Sequence, residues 1–295
     1  MAINTKGKLE ITDLDFDTVK SNFKTFLSQQ STFSDYNFEG SGMSVLMDLL
    51  AYNTHYQAFH ANMLANEMFI DTSITRASAV SHAKALGYTP TSMKSSNCET
   101  TVTVTGVPTS QTSLIMDAGT IFTTSINSID YKFVTIQDYT ASSTSGTFTF
   151  TGVQLYEGVR VSYRYNVDTS NLEQKFVIPS NKVDNSTLKV RVQASSSDTT
   201  STTYSLNTDY STLSTSSTVY FIQEIEEGRF EVYFGDGITG KKLLDGNIVI
   251  FDYVVTNGSD ADGATTFTPA TTVGGIQMSQ FWQLEVQLVE VMLKP

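Results

Sequence analysis

SGMSVLMDLLAYNTHYQAFHANMLANEMF, residues 41–69, decides the fold. Within it Val45, Leu49, Tyr52, Tyr56, Phe59 and Met63 are spaced 4, 3, 4, 3, 4. That is the heptad seam of a helix that packs along its length against another helix. Leu46, Leu50 and Leu64 add a second apolar stripe beside it. Ser41 has the chemistry of an N-cap, its hydroxyl able to take an orphan amide of the first turn. At ~1.5 Å per residue the predicted helix, from about Ser41 to Phe69, is roughly 40 Å long.

Two shorter helices flank it. Phe16, Val19, Phe23 and Phe26 recur at helical spacing and predict a helix from about Asp15 to Gln29. Asp13, Asp15 and Asp17 suit its N-terminus, where the helix dipole favours negative charge. A third helix is predicted from about Ser73 to Leu86, with Gly87 at the position after the cap and Pro90 beyond. Both neighbours are about half the length of the central helix and cannot cover all its apolar faces. The seam is therefore either core of its own domain or the surface on which helices of another chain pack; the imbalance of lengths favours the second.

Composition changes near residue 90. Residues 1–90 hold all three His (His55, His60, His82), whereas the rest of the chain is dominated by Ser and Thr; the whole has 34 Ser and 42 Thr. Thr101–Thr105, Val153–Tyr165 around Gly158, Leu188–Val192, Phe230–Phe234 and Ile248–Tyr253 show strand patterning. Asn257-Gly258 favours a tight turn, and Ser195–Ser201 and Ser211–Thr218 read as exposed loops or strand ends. The expected fold class is α+β: an N-terminal helical unit with one long helix, then a β-rich body of mainly antiparallel strands. The expected domains are residues 1–90 (helical, assembly bundle), 91–275 (β-rich body, one unit or two subdomains) and 276–295 (an atypical tail). In that tail Phe281, Leu284, Leu288 and Met292 fit a helical face, while Trp282, Leu284, Val286 and Leu288 alternate like a strand. The two periods conflict, so local sequence does not specify one structure.

The charge balance excludes some functions. Net charge is −12, which argues against a general nucleic-acid phosphate binder. A single cysteine, Cys98, rules out an internal disulfide framework and any multi-cysteine zinc site. No apolar run reaches the ~18 residues of a membrane span, and MAINTKGKLEITDLDFD has no apolar stretch of a secretory signal.

No catalytic constellation is legible. His55 and His60 are five apart and lack the i, i+4 spacing of a helical metal pair. Gly40-Ser41-Gly42 is not a nucleophile elbow. Cys98 has no nearby His and reads as a buried, inert thiol. Phe234–Lys242 has the wrong glycine spacing for a phosphate loop and reads as a glycine-rich turn. Glu224, Glu226 and Glu227 read as a solvated acidic edge. Asn185-Ser186-Thr187 fits the N-glycosylation pattern, which without a secretion signal carries nothing. The expectation is no enzyme, no catalytic residue, no metal and no cofactor.

Several stretches carry a resemblance. FEGSG (Phe38–Gly42), LLAYNTHYQAFHANMLANEMFIDTS (Leu49–Ser73) and SHAKALGYTP (Ser81–Pro90) resemble the N-terminal helical signature of the baseplate wedge proteins of contractile-tailed (T4-like, cyanophage-like) bacteriophages, the J-like baseplate family. LYEG (Leu155–Gly158), FVIPSNKVDNSTLKVRV (Phe176–Val192) and FGDGITGKKLLDGNIVIFDYVVTNG (Phe234–Gly258) are similar to that family's β region in the same order. The resemblance covers roughly residues 10–275. It implies a non-enzymatic virion protein of the tail baseplate, assembled in the host cytoplasm. It further implies an inner ring around the tail hub that rearranges when the tail contracts, with the long helices bundling with neighbouring subunits. The implied partners are other baseplate wedge subunits and copies of itself, with no nucleic acid, membrane or small-molecule substrate. Beyond Thr271–Gly275 the family continues through a polar linker into a further large domain. Here IQMSQFWQLEVQLVEVMLKP stands instead, so the chain reads as the N-terminal half of that architecture.

Two other functions compete: a β-rich binding module (an adhesin or receptor-binding tail component) with a helical stem, and a hydrolase with acids scattered in sequence. The first would show a fixed-period repeat in the β part, and none is legible. The second would show perturbed carboxylates in a cleft.

Overall fold

Asp15 opens the first helix as its N-cap, its carboxylate accepting the Asp17 amide at 3.1 Å and the Thr18 hydroxyl at 2.6 Å. Helix α1 (Phe16–Ser28) follows, then α2 (Gly42–Glu67) and α3 (Arg76–Ala85). These coordinates are a computed structural model that describes residues 2–3, 9–10, 15–30, 36–108, 110–208, 213–273 and 286–290. Two short strands, β1 (Ala2–Ile3) and β2 (Leu9–Glu10), pair antiparallel ahead of α1.

The Ser41 hydroxyl accepts the Ser44 amide at 3.1 Å and caps α2 as expected. Lys20 of α1 ion-pairs with Asp48 of α2 at 2.7 Å. The third helix starts at Arg76 rather than Ser73. Glu67 takes the Ile74 and Thr75 amides outside the helix at 3.0 and 3.2 Å, and Thr75 becomes the cap. Its end follows the glycine rule: Gly87 has φ +76°, its amide reaches Lys84 O at 2.9 Å, and the Tyr88 amide reaches Ala83 O at 2.9 Å. These two bonds make a Schellman motif and satisfy carbonyls the helix leaves open.

The chain divides into two compact units, Met1–Pro90 and Thr91–Pro295. Among the described residues the second contains the strands β3 (Asn97–Val104), β4 (Ser113–Met116), β5 (Ile121–Ile126), β6 (Ile129–Thr135), β7 (Tyr139–Thr144), β8 (Thr147–Glu157), β9 (Val159–Asn166), β10 (Phe176–Ile178), β11 (Val183–Gln193), β12 (Ser201–Leu206), β13 (Val219–Glu224), β14 (Phe230–Phe234), β15 (Ile248–Val255), β16 (Thr268–Pro269) and β17 (Val286–Glu290). One sheet runs β16-β5-β6-β8-β3-β17, with β7 joined to β8 and β4 to β7. The other runs β10-β14-β13-β12-β11-β15-β9. Among the described residues all pairings are antiparallel except β12 with β13. The fold class is therefore the expected α+β, helices first and a mainly antiparallel body after.

Tight turns set the registers. β5–β6 turns through Asn127-Ser128 at φ 51° and 66°, and β7–β8 through Ser145-Gly146 at φ 52° and 78°. Two positive φ values in a two-residue loop match the right-handed strand twist. Each sheet buries its own core. Phe122, Phe133, Phe148 and Phe150 fill the first; Ile178, Val190, Phe230 and Phe251 fill the second. Fully burying such a side chain contributes about 1.5–3 kcal/mol.

β8 runs straight into β9, so one strand path serves both sheets. Gly158 makes the passage at φ +124°, and a Cβ there would stand 2.1 Å from Val255 O. Beside it the buried Glu157 carboxylate accepts from Thr256 Oγ1 at 2.6 Å, Asn257 N at 2.9 Å and Asn257 Nδ2 at 2.9 Å. Asp184 of β11, also buried, accepts from Ser95 N at 2.9 Å and Ser95 Oγ at 2.6 Å. Of the tail, Val286–Glu290 pairs with β3, Val286 facing Val102. The tail's Phe281, Trp282, Leu284 and Met292, and Asp13 before α1, lie outside the described residues.

Candidate assembly surface

Helix α2 buries only one of its faces. Ser44, Met47, Ala51, Asn62, Ala65 and Asn66 are its buried residues. The seam Val45, Leu49, Tyr52, Tyr56, Phe59 and Met63 is exposed at every position, from 41% at Met63 to 63% at Val45 and Leu49. At 3.6 residues per turn its centre lies about 120° around the helix from the buried face. Leu46, Leu50 and Leu64 form a third stripe about as far round again, and they too are exposed. A helix with apolar residues on all sides belongs inside a larger packing unit. This one meets its own unit along a single stripe.

The seam's middle is aromatic and ordered. Tyr52 donates its hydroxyl to Tyr56 Oη at 2.9 Å, and their rings sit 4.6 Å apart, edge to face. The Tyr56 hydroxyl holds the Tyr52 phenol above its ordinary ionisation range. His55 stands edge-on to Tyr56 at 6.2 Å, and His60 lies 6.3 Å from Tyr56 and 5.8 Å from Phe59. The two histidines thus pack on the aromatic ridge. Aromatic rings offer large contact area for little lost rotamer freedom, which is why such residues dominate interface energetics.

At the C-terminal end Glu67 braces the turn into α3. This residue carries no motif and sequence reasoning passed over it; the run Asp71-Thr72-Ser73-Ile74-Thr75 after a helix-ending Glu was the available signal. His82 of α3 closes the corner, its Nε2 lying 2.9 Å from Glu67 O.

The other candidate residues resolve as follows. Cys98 is buried on β3, and burial pushes its thiol up to about 12. The loop at Phe234–Lys242 turns its amides inward: Asp236 Oδ1 accepts Ile238 N at 2.9 Å and Thr239 N at 2.8 Å. The loop's own carboxylate thus fills the position an anion would take. Glu224 corrects the acidic-edge expectation. It faces Phe230 in the β13–β14 register and is buried, whereas Glu227 is exposed beside Arg229. Among the described residues no three His, Cys, Asp or Glu side chains group to hold a metal ion, and no helix is long and apolar enough to cross a membrane.

Residues 15–88, which contain α1, the seam and α3, match the family described as "Baseplate wedge protein gp6-like, helical domain". The chain is also similar to Baseplate wedge protein gp6 of Enterobacteria phage T4, at 30% identity over 283 residues, covering 88% of this chain and 41% of that protein. It therefore spans about two-fifths of the length of the curated relative it matches. The unit that displays the seam is thus similar, over residues 15–88, to the helical domain of gp6-like baseplate wedge proteins, and most of the chain is similar to one such protein.

Proposed function

We propose that this chain is a structural part of a phage tail baseplate wedge, and that the α2 seam is where helices of neighbouring wedge subunits and further copies of the chain pack. The observation that carries this reading is the exposure of all six seam residues, Val45, Leu49, Tyr52, Tyr56, Phe59 and Met63. Contiguous apolar surface of this kind on a lone soluble chain is an aggregation liability unless a partner covers it. The heptad spacing specifies the partner's shape: another helix, running alongside and offering holes for these knobs.

In this reading residues 1–90 are the assembly domain and 91–275 the body it carries. The subunit contributes to an inner ring around the tail hub, and that ring rearranges when the sheath contracts. It is assembled in the host cytoplasm and resides in the virion. It catalyses nothing and takes no nucleic acid, membrane or small-molecule substrate. The wedge name of the T4 relative and the match to the helical domain support the baseplate role.

The test is co-purification of the full chain with wedge subunits of its own phage, wild type against Tyr56→Ala/Phe59→Ala. Truncating an aromatic interface anchor commonly costs ~2 kcal/mol or more. The double variant should lose its partners while circular dichroism of the free chain is unchanged. Unchanged assembly with a collapsed free chain would instead make the seam part of the chain's own core.

A further inference from the structure

In the second sheet β10 and β9 are the two ends of the strand order, yet they approach each other. Tyr165 of β9 donates its hydroxyl to the Val177 carbonyl of β10 at 2.6 Å, and its ring stands 5.6 Å from Phe176. The sheet thus rolls nearly into a barrel but does not close: β9 and β10 are not paired. Beyond the Tyr165 contact the gap widens into a cleft of about 610 Å³. Val161 of β9 and Tyr253 and Val255 of β15 form its apolar wall; Ser180, Glu227 and Arg229 stand opposite as its polar lining.

Two features ask for an occupant. The first is the free edge of β9. Alternate residues of a strand share a face; Val161 and Tyr165 pack on the core, but Val159 and Tyr163 on that same face are exposed. An open strand edge with apolar residues still uncovered is a template for another strand. The second is Arg229. Its Nε is buried without an acceptor, and its Nη2 reaches Glu227 only at 3.6 Å. On β9 itself, Arg164 stands exposed on the face opposite Val161 and Tyr165. In a chain of net charge −12, Arg229 in the lining of the cleft and Arg164 on β9 bring two cations to this part of the sheet.

We propose that this cleft binds an extended, acidic peptide segment of a partner protein, added as a strand along β9. Main-chain bonds to the β9 edge supply the affinity and alternate side chains the specificity. An acidic side chain on the cleft face pairs with Arg229, whose planar fork suits a carboxylate. The proposal concerns the β body and does not depend on the α2 seam or on the baseplate reading.

The probe is a pair of degenerate heptapeptide pools, one with Glu fixed at the centre and one with Gln, passed over the immobilised full chain. The Glu pool should be retained at least about tenfold better, and its bound members should be rich in β-branched residues two positions from the centre. Arg229→Gln should bring the ratio of the two pools to about one. Ser180→Trp, which fills the cleft from its rim, should abolish retention of both, with each variant's fold checked by circular dichroism. Hydrogen exchange should show the amides of residues 160–166 protected by the Glu pool. Retention of neither pool, retention untouched by both variants, or protection elsewhere would overturn the proposal. So would β9 protection that rises with protein concentration alone, which would make a second copy the occupant. Free glutamate competing as well as the peptides would also overturn it, since the site would then take small carboxylates.

Discussion

Thr75, the cap of α3, donates its hydroxyl to the carboxylate of Glu67, the last residue of α2, at 2.8 Å. The same carboxylate accepts the Ile74 and Thr75 amides. The Ser78 hydroxyl first, then Thr75, holds the Glu67 carboxyl down at about 2, against an ordinary 4.5. A carboxyl depressed in the folded state stabilises it above the ordinary value, and this is lost as pH falls through the folded one. The α2–α3 corner should therefore loosen between about pH 4.5 and pH 2. Carboxyl NMR should place the Glu67 midpoint near 2, and Glu67→Gln should speed amide exchange at residues 74–78 at neutral pH. A midpoint near 4.5 would remove the brace from the argument.

Leu49 and Met47 lie two positions apart on α2 and should respond differently to truncation. Leu49→Ala removes a side chain that is 63% exposed and should change the stability of the free chain by no more than about 0.5 kcal/mol. Met47→Ala empties a buried position and should cost about 2–5 kcal/mol. Urea unfolding of the free chain, followed by helical signal, separates the two. Equal losses would place the seam in the core.

Gly158→Ala should disrupt the body. A Cβ at this φ of +124° meets the Val255 carbonyl and Val254 Cγ1 at 2.1 and 2.9 Å, too close for either to be tolerated. The expected result is loss of more than about 3 kcal/mol or no soluble protein, beyond the usual ~1 kcal/mol of a glycine replacement. Expression yield and unfolding midpoint read it.

Glu157→Ala leaves the Thr256 hydroxyl and the Asn257 amide without their acceptor. Each buried donor left unpaired costs about 1–3 kcal/mol, so a loss of roughly 3 kcal/mol is expected. Glu157→Gln keeps one acceptor oxygen and should lose less. Guanidine midpoints of the three proteins order the effect.

Cys98 should resist a thiol reagent in the native chain at pH 8, because burial keeps it protonated far above that pH, at about 12. It should react stoichiometrically once urea unfolds the body. Rapid native labelling would show that β3 opens locally.

The long helix, its Ser41 cap and the Gly87 terminus were legible because each rests on residues within one or two turns of one another. The change of strand at Gly158 was legible too, since alternation restarts there. The start of α3 was not: Ser73 looks helical until Glu67, in the preceding helix, claims the Ile74 and Thr75 amides. Glu224 looked solvated because its neighbours Glu226 and Glu227 are acidic; its burial comes from pairing with Phe230 across β13–β14. The polar bonds from Ser95 to Asp184 and from Glu157 to Thr256 join residues 89 and 99 positions apart. No local pattern announces such pairs. For the candidate surface, the heptad spacing of the seam was readable in the sequence, while the uniform exposure of its residues needed the fold. Arg229 and the β9–β10 gap had no sequence signal, because a gap is made by strands that fail to meet.

The uninterrupted path from β8 into β9 has a mechanical consequence. Seven residues of β8 are laced to β3 in one sheet and eight of β9 to β15 in the other, with a single glycine between the two strands. A pull that separates the sheets along this path loads many ladder bonds in shear at once, instead of peeling them one by one. There is no slack at the crossing to take up the strain. Force on one sheet is thus handed to the other through this one crossing.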